Sequence, residues 1–337
     1  MRPHLTSVFV TTAVIAAVLG GVAARGGPPA SGGPPAAAVP RGRSVAAATA
    51  HVTPVFAYYY MWMTGTYWSR PKLDHPVQPF PGDYRSDNPA VIRWQAQQAK
   101  AAGLTGLIVS WKDTPTYRAI LPLVERAANQ AGLKLALLYE GLNHARQPLP
   151  AAEVAADLKF FVSTYASNRA WYRINGKPLT MWFGTQKFSR AAVASVTGPV
   201  RRKILVLSSG NSVAEFLRLA PYTDGDAYYW SSVSPGADRF YPAKLAAMGV
   251  AVHRARKIWL APFAPGFNDT LIGGQRVVPR NNGVTLRAEF ATAHASAPDI
   301  LGLISWNEWA ENTYVEPSVH YKFFYLKLLK GLIHTLG

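Results

Sequence analysis

From Thr53 onward the chain alternates short apolar runs with longer segments in which apolar residues recur every three or four positions. The first pattern is that of strands buried on both faces, the second that of helices with one covered face. The runs fall at 54–62, 106–111, 134–140, 178–183, 203–208, 225–230, 258–263 and 300–306. The helical segments fall at 90–102, 116–130, 151–165, 189–195, 212–219, 237–257, 285–295 and 321–334. Asn88 before Pro89 reads as an N-cap followed by a first-turn proline, and Gly103 and Gly132 close the first two helices. Strands and helices in alternation predict a parallel sheet, and eight such units predict its closure into a single-domain (β/α)8 TIM barrel. The alternative is an open Rossmann-like sheet. No Gly-x-Gly-x-x-Gly opens any helix, however, and there is no Walker-type loop and no His-Glu-x-x-His.

The pattern is different before residue 51. Residues 1–24 read as a secretory signal peptide: Arg2 supplies the positive start, Val8 to Val22 the apolar segment, and Val22-Ala23-Ala24 small residues for cleavage. The apolar segment is shorter than the roughly 20 residues of a spanning helix. An uncleaved anchor that tethers the protein to the cell surface is the other reading. Residues 25–50, rich in Gly, Pro and Ala, have little to bury and read as a flexible linker. The barrel domain is then 51–337, enough for a fold that takes roughly 250 residues.

Composition adds three constraints. Hydrophobic residues make up 49% of the chain and charged ones 16%, which is globular and not disordered. There is no cysteine, so disulfides, thiol nucleophiles and thiolate metal sites are excluded. The formal net charge is +17, from 35 Lys and Arg against 18 Asp and Glu. That balance suits anionic surroundings: acidic polysaccharides, cell-wall polymers, membrane surfaces or nucleic acid. The bland reading, a generally basic surface with no specific partner, carries more weight. The basic residues are scattered with no tract of the kind that marks a nucleic-acid arm, so no nucleic-acid partner is expected. No feature calls for a stable protein partner.

Chemistry concentrates at the strand ends, which a barrel gathers on one rim. The last strand runs into Trp306-Asn307-Glu308-Trp309-Ala310-Glu311. Two carboxylates between flat aromatic side chains suit glycoside hydrolysis: the acids do proton work or stabilise charge, and rings cover the C–H faces of sugars. The bland reading is a solvated Glu pair beside core tryptophans. Glu140 ends an otherwise apolar strand, as a site residue or as half of a structural ion pair. Tyr59, Tyr60, Trp62, Trp111, Tyr229 and Trp230 are candidate sugar contacts or packing residues. Asn307 either orients a carboxylate or a sugar hydroxyl, or makes a turn. Glu316-Pro317 reads as a cap of the closing helix. The eight histidines show no metal-ligand spacing, and neither metal nor cofactor is assigned.

The block Trp306-Asn307-Glu308-Trp309-Ala310-Glu311-Asn312-Thr313-Tyr314-Val315-Glu316-Pro317 resembles the Trp-Asn-Glu-Trp-His-Glu-Gly-Thr-x-Ile-Glu-Pro signature of glycoside hydrolase family 99. That family holds endo-α-mannosidases and endo-α-mannanases. The block is closer still to WbsX-like relatives from polysaccharide gene clusters. Ala57 to Tyr60, Gly82 to Pro89, Gly106 to Trp111 and Pro265 to Asp269 are supporting matches. The resemblance implies a (β/α)8 barrel and a retaining, endo-acting, metal-free hydrolase of an α-linked mannan-like or bacterial polysaccharide. It gives Glu308 as the base on the substrate's own 2-hydroxyl and Glu311 as the general acid and base. It also implies sugar contacts at Trp111, Glu140 and Tyr229. The departures are Ala310 for His, Asn312 for Gly and Tyr314 for a polar residue, which bear on specificity. The alternatives are a non-catalytic carbohydrate-binding or cell-wall-associated barrel, and a WbsX-like glycan-biosynthesis protein.

Overall fold

The computed structural model describes residues 52–77, 79, 83–229 and 238–337. The expected signal segment and linker, and Trp230, lie outside them. Eight parallel strands form the centre: β1 (Val55–Tyr59), β2 (Gly106–Trp111), β3 (Lys134–Glu140), β4 (Lys177–Phe183), β5 (Leu205–Ser208), β6 (Gly225–Ala227), β7 (Ile258–Phe263) and β8 (Ile300–Leu303). Neighbours pair in sequence order, β8 pairs with β1, and β3 pairs with β4, so the sheet closes on itself as a (β/α)8 barrel. Eight helices surround it: α1 (Pro89–Ala101), α2 (Pro115–Ala131), α3 (Ala151–Thr164), α4 (Arg190–Thr197), α5 (Val213–Leu219), α6 (Tyr241–Arg254), α7 (Val284–Ala295) and α8 (Phe324–His334). Local chemistry starts and stops them as expected. The Asn88 side chain accepts from the Ala90 amide at 3.0 Å, and Gly132 closes α2 in the left-handed region at φ 67°.

Strand alternation sorts the side chains into two cores. Phe56, Tyr58, Ile108, Ala136, Leu138, Leu179, Met181 and Leu260 point inward and fill the barrel. Ala57, Tyr59, Val109, Trp111, Leu137, Tyr139, Trp182 and Trp259 point outward and pack under the helices. Each fully buried large side chain contributes roughly 1.5–3 kcal/mol of transfer free energy.

Three strands end earlier than the apolar runs suggest. β1 stops at Tyr59, β6 at Ala227 and β8 at Leu303. Past those points the chain leaves the sheet to build the rim, with a cis peptide between Ile304 and Ser305. α8 starts at Phe324 and not at 321, because residues 317–322 are committed elsewhere. The Pro317 carbonyl accepts from Val77, and the Ser318 and Lys322 backbones bond to each other.

Candidate active site

The segment after β8 is held by its own polar residues. Ser305 Oγ accepts from the Glu308 amide at 2.7 Å and lies 2.9 Å from Thr313 Oγ1. The Thr313 amide returns to the Glu308 carbonyl at 3.2 Å, closing a tight loop around both acids. Asn312 takes the left-handed backbone of that turn at φ 51°, a conformation Asn tolerates better than most residues. Arg280 locks the far side. It is buried, donates to the Asn312 and Tyr314 carbonyls at 2.9 and 2.7 Å, and sits 4.4–4.6 Å from the rings of Tyr314, Tyr321 and Tyr325.

Asn307 continues the barrel ladder where the strands have ended. Its Oδ1 accepts from the Tyr60 amide at 2.8 Å and its Nδ2 donates to the Tyr60 carbonyl at 3.0 Å. One side chain thus performs the work of a strand neighbour and fixes Tyr60 relative to Glu308. Asn307→Ala leaves a buried amide and carbonyl without partners, so we expect a loss of about 1–3 kcal/mol of stability. Urea unfolding checks this, and an unchanged midpoint refutes the clamp.

The cleft at this rim has about 360 Å³ of open space measured to its mouth. It is lined by Tyr60, Trp62, Leu138, Glu140, Arg146, Phe183, Tyr229, Glu308 and Glu311. Tyr60 stacks on Trp62 with ring centroids 4.3 Å apart, and its hydroxyl bonds that of Tyr229. Glu140 lies in this lining, accepts from Ser110 Oγ at 2.8 Å and has no ion-pair partner among the described residues. Tyr67, from the loop after β1, donates to Glu308 Oε1 at 3.4 Å and accepts from the Ala310 amide at 3.1 Å.

Burial dominates the electrostatics. It pushes Glu308 well above the carboxylate range, and the charge of Glu311 pushes it further, against the Ala310 amide, the Tyr67 hydroxyl and Arg70. Glu311 is pushed up to about 7 by burial, with Arg146 opposing and Asp269 and Glu140 adding to the rise. Glu140 is raised by burial too. Two interacting carboxyls of this kind titrate as a unit, and burial holds both toward the protonated form. Among the described residues no group of three or more His, Asp or Glu is placed to hold a metal ion.

Several residues named from the sequence are placed elsewhere. Tyr59 faces outward, and its hydroxyl donates to Gln95 of α1 at 2.7 Å. Trp111 is fully buried between the sheet and Phe161 and Tyr165. Trp309 is buried, stacked on Tyr314 at 4.1 Å, with its indole N–H donating to Tyr84 at 3.2 Å. Asn307 is buried behind the wall it supports. None of these four lines the cleft. Glu316 caps no helix: its two carboxylate oxygens accept from Tyr84 and Gln95 at 2.8 and 2.6 Å, beneath the loop. Sequence reasoning missed Arg146, Tyr67 and Arg70, all of them in loops whose pattern carries no face. The strand end Trp182–Phe183 was expected at the rim, and Phe183 lines the cleft. Leu138 was passed over, although strand parity carried its signal, since it shares a face with Glu140.

Glu311 and Glu316 are each pushed up to about 7 by burial, as is Glu125 on α2, and Asp226 at the end of β6 is pushed up to about 8. Their ordinary values are 4.5 and 3.8. Between those limits the folded chain holds protons that the unfolded chain has released. Stability therefore falls as pH rises from about 4.5 to about 8. We expect Tm to drop across that window, with Asp226→Asn flattening its upper end. A flat or rising Tm overturns the assignment.

No protein-family model matches the chain. Glycoprotein endo-alpha-1,2-mannosidase of Rattus norvegicus is 22% identical over 329 residues, covering 79% of this chain and 68% of its own length. Glycoprotein endo-alpha-1,2-mannosidase-like protein of Mus musculus is 24% identical over 277 residues, covering 71% of this chain and 57% of its own. This chain thus spans little more than half the length of the latter. Among solved structures, the GH99 endo-alpha-mannosidase from Bacteroides thetaiotaomicron superposes with a TM-score of 0.71 at 20% identity, over 84% of this chain and 97% of that one. A GH5_18 protein from Streptomyces cattleya, at 13% identity over 84% of this chain and 80% of its own, reaches 0.51. Those two likenesses are of fold.

Proposed function

Taking the chain as glycoside hydrolase family 99-like, we propose that it is a secreted, endo-acting glycoside hydrolase of an α-linked, mannan-like or bacterial polysaccharide. The observation that carries this is the loop after β8. It presents two carboxyls, buried Glu308 and half-buried Glu311, to one aromatic-walled cleft, and both are raised above the ordinary carboxylate range. The wall supports it further: Tyr60, Trp62, Phe183 and Tyr229 offer ring faces that stack on sugars, while the acids and the tyrosine hydroxyls offer hydrogen bonds.

The reaction is read as two displacements. Glu308, ionised, takes the proton of the sugar's own 2-hydroxyl while that oxygen attacks the anomeric carbon. Glu311 gives its proton to the leaving oxygen as the glycosidic bond breaks. The product of this step is a 1,2-anhydro sugar. Glu311, now a carboxylate, then takes a proton from water, which opens the anhydro ring at the anomeric carbon, and Glu308 returns its proton to O2. Two inversions give net retention. The Tyr67 hydroxyl donated to Glu308 favours its ionised form against burial and the charge of Glu311, and the substrate's 2-hydroxyl donating to the same carboxylate adds to that. Export is read from the charged and apolar pattern of residues 1–24, and the basic surface is read as contacting anionic cell-wall polymers.

Reducing-end release from a panel of α-mannans and bacterial polysaccharides tests the proposal, with the first-formed anomer read by NMR. Release of the α-anomer is expected. Release of the β-anomer overturns the retaining route. Binding without release moves the chain to the carbohydrate-binding class.

A further inference from the structure

One guanidinium stands at the mouth of the cleft with no carboxylate paired to it. Arg146 is exposed and lines the cleft beside Glu140 and Glu311, yet it has no ion-pair partner among the described residues. Its one ring contact is Phe183, whose centroid is 5.8 Å away. The backbone under it is nevertheless tightly fixed. Arg146 takes a left-handed conformation at φ 59°, which few non-glycine residues adopt. Its amide donates to the Asn143 carbonyl at 2.9 Å, and Leu149 and Gly141 close the loop at 2.9 Å. Two lysines brace the same loop by bonding its carbonyls: Lys187 Nζ at 2.5 Å from Arg146 O, and Lys112 Nζ at 2.6 Å from Leu142 O.

The loop therefore carries Arg146 into the lining of the cleft, while the two lysines spend their ammonium groups on its carbonyls. Structural work does not account for the Arg146 side chain, because the loop is held through its backbone. The charge of Arg146 opposes the rise of Glu311 and Glu140, yet its guanidinium is within ion-pair distance of neither, so its hydrogen-bonding edge stays open to the cleft. A planar guanidinium matches a carboxylate or a phosphate with paired hydrogen bonds, and positive charge around a cleft raises the local concentration of anions. We propose that Arg146 forms a subsite for an anionic substituent, a carboxylate or a phosphate, on the glycan unit beside the cleaved linkage. The substrate is then an acidic polysaccharide. This rests on the hydrolase reading above and narrows its substrate class.

The test uses the full chain, an α-mannan, the same mannan oxidised at C6 to carry carboxylates, and the same mannan phosphorylated. Wild type is compared with Arg146→Met and with Arg93→Met, which removes the same charge from the exposed face of α1. Wild type should release reducing ends from one anionic polymer with kcat/KM at least about tenfold above the parent mannan. Which polymer wins separates carboxylate from phosphate. Arg146→Met should lose that preference, read as the ratio of kcat/KM on the anionic polymer to that on the parent and measured below the alkaline limb, whereas Arg93→Met keeps the wild-type ratio. Equal or better cleavage of the parent by wild type, or a preference that survives in Arg146→Met, overturns the subsite. If no polymer is cleaved, the hydrolase reading fails, and affinity electrophoresis on the same polymers decides the subsite alone. Retardation by an anionic polymer lost in Arg146→Met but kept in Arg93→Met upholds it, and equal retardation of both variants overturns it.

Discussion

Glu311→Gln should lower kcat/KM on an unactivated oligosaccharide by about a hundredfold to ten-thousandfold, the range for loss of a general acid–base group. The amide keeps the shape of the carboxyl but has no proton to give to the leaving oxygen. An aryl glycoside whose phenolate leaves unaided should be far less affected in its first step. Glu308→Gln should fail on both substrates, because the attack of O2 needs a base whatever the leaving group. The contrast between the two substrates assigns the roles. If Glu311→Gln loses equally on both and Glu308→Gln spares the aryl glycoside, the two carboxyls have exchanged functions. The pH profile gives a further check. The general acid must carry its proton, so activity should fall as pH rises through about 7, where Glu311 loses it. Arg146 opposes that high value, so Arg146→Met should move the alkaline limb upward.

Trp111→Ala should cost about 3–5 kcal/mol of stability and leave KM unchanged at temperatures where the variant is folded. Trp111 is fully buried, with ring centroids of Tyr139, Phe161 and Tyr165 at 6.1–6.3 Å. Removing the indole leaves a cavity between β2 and α3 that a closed sheet cannot collapse to fill. Trp62 is the opposite case. It lines the cleft and stacks on Tyr60, so Trp62→Ala should raise KM with little change in unfolding. Urea denaturation and substrate titration of both variants separate the two. A raised KM with native stability in Trp111→Ala would return that residue to the cleft.

Those two tryptophans show what a close reading of strand parity adds. In β2, Leu107, Val109 and Trp111 share one face while Ile108 and Ser110 share the other. In β1 the same rule sends Tyr58 and Tyr60 inward and Tyr59 outward. Strand-end position alone put Tyr59, Tyr60 and Trp111 together on the rim. Alternation divides them, and it is a property of the backbone that the chain already displays. Glu140 is legible in the same way, as it lies two residues beyond Leu138 on the inward face.

The sequence by itself determined the eight alternating units, the caps that start and stop several helices, and the acidic segment that follows the last strand. These are local properties, set by period, turn chemistry and the short reach of neighbouring side chains. Closure of the sheet decided the rest, because it brings together residues from opposite ends of the chain. Tyr60 meets Asn307 only because β1 and β8 are neighbours, and Glu316 finds Gln95 and Tyr84 only because the loop after β8 folds under α1. Arg146 and Tyr67 sit in loops with no periodicity, and closure alone aims them at the two acids. The elevated carboxyl affinities are likewise tertiary, since burial and a second nearby acid raise them and neither exists in the extended chain.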